Sequence, residues 1–177
     1  MGNLPTARPR TYVVGLPLIP DDVNEIFDAI INGKHGEIER TYHGGAFASM
    51  NGGAGSSGMN TGTDEIGPDA AGDIFACPLD DIPVGDRITS VTFAYRRGAG
   101  GNVSYRLERK PLAGGAVEAI TALTTDSTTV GVANVVVAAI DHVVATGYAY
   151  ALRLGFDVAA VSAGATLIGG AAKHDKL

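Results

Sequence analysis

The feature that most constrains this chain is a strict alternation of side-chain size between residues 148 and 156. Large side chains occupy every second position: Tyr148, Tyr150, Leu152, Leu154 and Phe156. The positions between them carry Ala149, Ala151, Arg153 and Gly155. A period of two places these two sets on opposite faces of a β-strand. The alternation therefore predicts a strand that is buried on one face only, as in an antiparallel sheet with one covered side.

Similar alternation recurs over the second half of the chain. Ile88–Arg96 presents Val91, Phe93 and Tyr95 on one face. Val103, Tyr105 and Leu107 alternate after a glycine-rich turn at 98–102, which predicts that the two segments pair as a hairpin. Further strands are predicted at these segments: Ile74–Cys77, Ala116–Leu123, Val130–Ala139 and Ala165–Ile168, the last ending at Gly169-Gly170. The pattern predicts a mainly β protein, an antiparallel β-sandwich of jelly-roll-like type.

The first 68 residues lack this alternation. Residues 1–42 are predicted to form an extended arm and one short α-helix, because Pro5, Pro9 and Pro17 favour extended backbone ahead of the helical segment. The helix is predicted from a single apolar stripe, made by Val23, Ile26, Phe27, Ile30 and Ile31. Residues 43–68 are rich in glycine and are predicted to be a linker. Residues 69–177 are predicted to form the β-sandwich domain.

Composition excludes several classes of partner and site. The net charge of -6 and the absence of a basic run argue against direct nucleic-acid binding, which relies on clustered Lys and Arg. Cys77 is the only cysteine, so an intrachain disulfide and a cysteine-based zinc site are excluded. No apolar stretch is long enough to predict membrane insertion.

No pattern in the sequence predicts a catalytic or cofactor site. Asp141-His142 is a pairing found in catalytic dyads, but neighbouring residues of a strand point to opposite faces, and turn residues are the better interpretation. The chain has no Gly-x-Ser-x-Gly elbow. Its acidic residues fall mainly in turns rather than as a pair across a cleft, which a glycosidase needs. A non-enzymatic protein without a cofactor is expected.

Two alternatives for binding sites remain open. The histidines lack the spacing of metal ligands; they are His35, His43, His142 and His174. Calcium could be held by Asp80, Asp81 and Asp86, although turn formation explains these residues equally well, and no metal is predicted. Four tyrosines on the apolar phase of their strands are predicted to lie in the core, with a sugar-stacking surface as the alternative; they are Tyr95, Tyr105, Tyr148 and Tyr150.

Two segments of the chain contain motifs that are similar to those of a known class of proteins. The run from Tyr12-Val13-Val14-Gly15 to the helix at 21–31 resembles the N-terminal attachment segments of phage fibres and other virion surface proteins. The stretch Ile88–Ile168 looks like the small β-sandwich of head-decoration or cement, head-fibre and tail-fibre proteins. Its matching motifs are Val91-Thr92-Phe93-Ala94-Tyr95, Tyr105-Arg106-Leu107 and Gly147-Tyr148-Ala149-Tyr150-Ala151-Leu152-Arg153-Leu154.

The resemblance implies a non-enzymatic structural protein, assembled in the host cytoplasm, that decorates or stabilises a capsid surface as a knob or short head fibre. It implies a homo-oligomer, commonly a trimer, with the major capsid protein or other virion proteins as partners. Its attachment residues would be Tyr12, Val13, Val14, Val23, Ile26, Phe27, Ile30 and Ile31. The alternative is a tail-fibre or receptor-binding module that binds host-surface glycans.

Overall fold

The computed structural model describes residues 37–50, 59–60, 65–68, 70–157 and 165–176. These residues form thirteen β-strands and one short 3-10 turn, and every strand pair among them is antiparallel. The predicted mainly β, antiparallel fold is confirmed, whereas jelly-roll order stays a prediction. None of the described residues belongs to a helix long and apolar enough to cross a membrane.

The predicted arm and helix lie outside the described residues. The same is true of all eight predicted attachment residues, which are Tyr12, Val13, Val14, Val23, Ile26, Phe27, Ile30 and Ile31. Their role therefore stays a prediction.

The described strands form two sheets. The first contains β1 (Ile38–His43), β3 (Met59–Asn60), β4 (Glu65–Ile66), β6 (Arg87–Arg97), β10 (Gly131–Val137), β11 (His142–Val143) and β13 (Thr166–Asp175). The second contains β2 (Ala48–Ser49), β5 (Ile74–Pro78), β7 (Val103–Pro111), β8 (Glu118–Ala119), β9 (Thr124–Asp126) and β12 (Tyr148–Phe156). The 3-10 turn, Gly44–Ala46, lies between β1 and β2.

The core lies between the two sheets and contains the large residues of the alternating strands. On β12, the predicted inward face is confirmed, since Tyr150, Leu152, Leu154 and Phe156 are buried. The sheets meet through aromatic rings, including Phe93 of β6 and Tyr105 of β7, whose centroids are 5.0 Å apart. Burial of such rings is a major source of stabilisation in a core of this size.

The predicted hairpin of β6 with β7 is wrong. β6 pairs with β10, β11 and β13, whereas β7 pairs with β8, β9 and β12 in the other sheet. The segment 98–102 therefore carries the chain across the sandwich, which lets the two apolar faces pack on each other. Arg97 fixes this crossing, because its buried guanidinium donates to the carbonyl oxygens of Gly101, Ser127 and Thr129.

The last predicted strand is too short. β13 runs through Gly169-Gly170 to Asp175 and lies between β6 and β1. The glycines permit this close approach: a Cβ on Gly169 would collide with the carbonyl oxygen of Tyr42. A Cβ on Gly170 would lie 2.9 Å from both the Thr92 carbonyl oxygen and Leu152 Cδ1. Here glycine marks crowding between strands rather than a turn.

The predicted strand Ala116–Leu123 is largely absent, since only Glu118–Ala119 pairs, as β8. The polar stretch after it forms β9 instead, and both short strands bond to β7 at the edge of the second sheet. At an exposed edge, main-chain hydrogen bonds decide the pairing and apolar periodicity is a poor guide.

Parts of the predicted arm and linker contribute to the sandwich. β1 pairs with β13 along its whole length, and Phe47 is buried in the core. Glu65 of β4 accepts hydrogen bonds from Arg96, at 2.9 Å, and from the Thr166 hydroxyl, at 2.5 Å. The division of the chain at residues 42 and 68 stays a prediction, because most of residues 1–68 lie outside the described residues.

Candidate functional site

An open cleft of about 260 Å³ lies at one end of the sandwich, and we call it the loop-end cleft. Its walls are Ile120, Thr121 and residues 137–142. One wall is held by Ile120 and Thr121, whose amides both donate to the Leu107 carbonyl oxygen, at 2.9 and 3.2 Å. The other is held by the Ile140 amide, which donates to the Thr89 carbonyl oxygen at 3.0 Å. Both walls are thus anchored on long strands.

The second wall contains a strained residue. Ala139 has a φ of 58°, and it is the one non-glycine residue with positive φ in the described part of the chain. This left-handed conformation costs an alanine about 1 kcal/mol or more. Backbone strain of this kind often accompanies binding sites, where the surrounding structure imposes it.

His142 lies at the end of this wall, and its side chain contacts Tyr150 of β12, which does not itself line the cleft. His142 Nε2 lies 3.3 Å from the Tyr150 hydroxyl, which also accepts the Ala145 amide proton at 2.9 Å. Burial, and then the charge of Arg109, lowers the pKa of His142 below its ordinary value. The imidazole is therefore neutral near pH 7. Because the Tyr150 hydroxyl accepts the Ala145 amide proton, its own proton is available for His142. We therefore assign His142 Nε2 as the acceptor and Nδ1 as the protonated nitrogen.

Arg109, Tyr148 and Glu118 form a polar cluster next to the His142–Tyr150 pair, outside the lining of the cleft. The Arg109 guanidinium stands 4.1 Å from the centroid of the Tyr148 ring, a cation–π contact. It also donates to Glu118 Oε2 at 2.8 Å. The Tyr148 and Tyr150 ring centroids are 6.5 Å apart, which connects this cluster to His142. Tyr148 is half-buried and packs partly against the core.

Charges around the loop-end cleft are compensated. Arg109 pairs with Glu118, and Arg87 Nε lies 3.2 Å from Asp141 Oδ1 on the opposite wall. With His142 neutral, these five groups sum to no net charge. The cleft and the polar cluster beside it thus offer hydrogen-bond donors and acceptors without the net charge that would concentrate an ion.

A second polar cluster lies on the outer face of the second sheet. Glu108 Oε2 is enclosed by Arg106, at 2.7 Å, and by Arg153, at 4.0 Å. All three side chains are at least three-quarters buried. These groups satisfy one another across β7 and β12, and a structural role accounts for them.

The structure separates the candidates that the sequence places together. Asp81 accepts the Tyr42 hydroxyl proton at 2.6 Å, whereas Asp86 is buried against His174. Asp141 is exposed while His142 is half-buried, so the two do not form a dyad. Within the described ranges, no three His, Cys, Asp or Glu residues are grouped so that they could hold a metal ion.

The remaining candidates are distributed as follows. The predicted core position is confirmed for Tyr95, Tyr105 and Tyr150. His43 is exposed and His174 is fully buried, while His35 lies outside the described residues.

Sequence analysis missed Arg109 and Glu118. One signal was available for Arg109: it continues the apolar phase of Val103, Tyr105 and Leu107 on β7. A charged residue at an inward-facing position of a strand needs a specific partner. Glu118 carries no comparable signal, since it lies in an exposed segment.

Neither the protein-family models nor the curated proteins include a match to this sequence. Among solved structures, the chain is similar to a family two carbohydrate esterase from Cellvibrio japonicus, with a TM-score of 0.43 and 5% identity over 79% of this chain. This chain spans only 34% of that protein. It is also similar to TmCBM61, solved in complex with β-1,4-galactotriose, with a TM-score of 0.33 and 12% identity. That similarity covers 83% of this chain and 90% of TmCBM61.

Proposed function

We propose that this chain is a non-catalytic binding module and that its loop-end cleft binds a carbohydrate. The observation that carries the proposal is the compensated charge of the cleft and of the cluster of Arg109, Glu118 and Tyr148 beside it. An anion would need an unpaired Arg or Lys, and a cation would need an unpaired carboxylate. Here Arg109 and Arg87 each have a carboxylate partner. A neutral ligand with many hydroxyl groups fits this balance best.

The chemistry of a sugar matches these groups. Its hydroxyls can accept from the Arg109 guanidinium and donate to Glu118, while the apolar C–H groups of the sugar can pack against the stacked Arg109 and Tyr148 side chains. Thr121 and the protonated Nδ1 of His142 add further hydrogen-bonding groups at the cleft itself. Two anchored walls leave little to be ordered on binding, which favours affinity.

The test is a glycan-array screen of the full chain, followed by calorimetry with the best ligand. Tyr148→Ala should weaken binding by about tenfold, since loss of an aromatic stacking contact costs about 1.5 kcal/mol. Tyr42→Ala is the matched control, because Tyr42 is also half-buried but lies on β1. Absence of any glycan ligand, or equal losses in the two variants, would contradict the proposal.

A second candidate is a structural protein of a phage virion surface, and the observation that favours it is the attachment-like segment Tyr12–Ile31. Glu37 is the first residue after this segment that the structure describes. It leads directly into β1 at the border of the first sheet. A segment attached there can reach a capsid or tail protein without disturbing the core. The sandwich would then project from the particle, on the capsid surface rather than the tail, as a trimer or other oligomer.

Immunogold electron microscopy of phage particles tests this candidate, with antibody raised against residues 69–177. Label over the head supports decoration, and label at the tail tip supports host recognition. A chain lacking residues 1–33 should lose particle binding while it retains the strands described above. Binding that survives this deletion would contradict attachment through Tyr12–Ile31.

A further inference from the structure

One edge of the first sheet is apolar and uncharged. Within the described residues, β10 pairs on one side only, with β6. Its outward-facing side chains are Val132, Asn134 and Val136, and the two valines are 52% and 59% exposed. The chain carries no charged side chain between Asp126 and Asp141. Such an edge is a template for pairing with another strand, and proteins usually protect it.

On the far side of β13, the border strand β1 of the same sheet is protected in the usual way. Exposed charges on or beside β1 include Glu39 and Arg40, and Glu37 pairs with Lys173 at 2.8 Å. Charges on an edge strand oppose the approach of a second strand. The contrast between the two borders indicates that β10 is built to be covered.

The sequence of β10 is complementary to itself. In an antiparallel pair of two β10 strands centred on Asn134, Val132 of one copy faces Val136 of the other. The two Asn134 amides then face each other, and a side-chain amide can both donate and accept. Every cross-strand pair on the outward face is thus either apolar with apolar or amide with amide. No like charges meet.

We propose that two copies of this chain associate through β10, antiparallel across a two-fold axis at Asn134, so that their first sheets become one continuous sheet. The partner is a second copy because the outward face of Val132, Asn134 and Val136 is complementary to itself in this register alone. A contact between two identical surfaces related by a two-fold axis closes as a dimer. The interface is small, so we expect dissociation in the micromolar range. This inference goes beyond the proposed function and does not depend on it.

Sedimentation velocity of the full chain over the micromolar range tests the association. Val136→Lys should weaken it by more than about tenfold, since a lysine cannot pack on the facing Val132 as a valine does and a charged side chain on an edge strand opposes pairing. Val84→Lys is the matched control: Val84 is 61% exposed but lies in the turn before β6, and this variant should dimerise like the unmodified chain. A monomer at all concentrations, a trimer, or equal behaviour of the two variants would overturn the proposal.

Disulfide trapping tests the register separately. In the proposed pairing, two copies of an Asn134→Cys variant bring their Cα atoms to about 4.5–5.5 Å, within disulfide range. Two copies of Val132→Cys stay about 14 Å apart along the strand, which is too far. With oxidised glutathione, the first variant should form a covalent dimer and the second should not; Cys77 is buried and gives little background. The reverse pattern, or trapping of neither, would overturn the two-fold axis at Asn134.

Discussion

His174 Nδ1 and Asp86 Oδ2 are 2.7 Å apart in the interior, although the two residues are 88 positions apart in sequence. His174 is fully buried and Asp86 nearly so. Asp86 also accepts the Val144 amide proton through its main-chain oxygen, at 2.8 Å. The pair therefore fastens the end of β13 to the turn before β6. His174 Nε2 has no hydrogen-bond partner among the described residues, so the whole polar contact of this ring passes through Asp86.

Replacing Asp86 should therefore be costly. Asp86→Ala leaves a buried imidazole without a partner at either nitrogen, and we expect a loss of about 2–4 kcal/mol in the free energy of unfolding. Urea denaturation followed by circular dichroism measures it. Asp81→Ala is the control, because Asp81 is exposed and should cost less than about 1 kcal/mol. Equal losses would show that the His174 contact contributes nothing specific.

Crowding around β13 leads to a second prediction. Gly170→Ala should destabilise by about 1–3 kcal/mol, because the new methyl group would press on the main-chain oxygen of Thr92. Gly155→Ala is the matched variant, also in a buried strand, where the nearest atom is the Ser104 hydroxyl oxygen at 2.8 Å. That side chain can rotate away, so the loss should be less than half as large. Thermal unfolding compares the two, and the opposite order would refute the packing argument.

The Cys77 thiol should be almost unreactive in the folded protein. Burial, and then the charges of Asp81 and Asp80, raises its pKa to about 11. At about pH 8 the thiolate is then scarcer by about a hundredfold than for an ordinary cysteine, and the sulfur is also shielded. A disulfide reagent should label it only after denaturation. Ser49→Cys adds an exposed thiol as a control, which should react at once; rapid labelling of Cys77 itself would show that β5 opens readily.

His142 should make stability depend on pH. Because the folded state lowers its pKa below the ordinary value of 6.5, the unfolded chain binds the proton more tightly. Stability is therefore intact above pH 6.5 and falls as the pH drops from there toward the lower folded pKa.

The His142→Gln variant, which stays neutral, should lose less stability than the unmodified chain in this window. Denaturation at matched pH values gives the difference, in which the other titrating groups cancel. Parallel curves for the two proteins would mean that His142 titrates as it does in the unfolded chain.

Local pattern was sufficient for the strands whose two faces differ in chemistry. The inward residues of β12 and the inward tyrosines of β6 and β7 follow from alternation alone, because burial on one face imposes it. Pairing partners do not follow, since the Gly98–Asn102 turn fits a hairpin and a crossing equally well. Locally, the pair Gly169-Gly170 indicates the end of a strand. Only the strands that pack beside β13 explain why glycine is required there.

The loop-end cleft could not be predicted from local sequence pattern, for the same reason. Its walls come from two distant segments, Ile120–Thr121 and 137–142, and only the fold brings these together and places Arg109 near His142. His142 was interpreted as a turn residue, which is wrong, because it lies in β11 and is half-buried. Its partner Tyr150 was predicted to lie in the core, which is confirmed. In the sequence, the valines of β10 indicate an ordinary half-buried strand. Only the structure shows that Val132 and Val136 face outward.

The position of β13 also affects how the protein is made. This strand is synthesised after both β1 and β6, yet it lies between them in the sheet. Until β13 emerges, both neighbours have an open side and the apolar face of β6 lacks part of its cover. Nascent chains of this kind are prone to pair with one another during synthesis. Chaperone demand should therefore be concentrated in the interval between translation of β6 and release of β13.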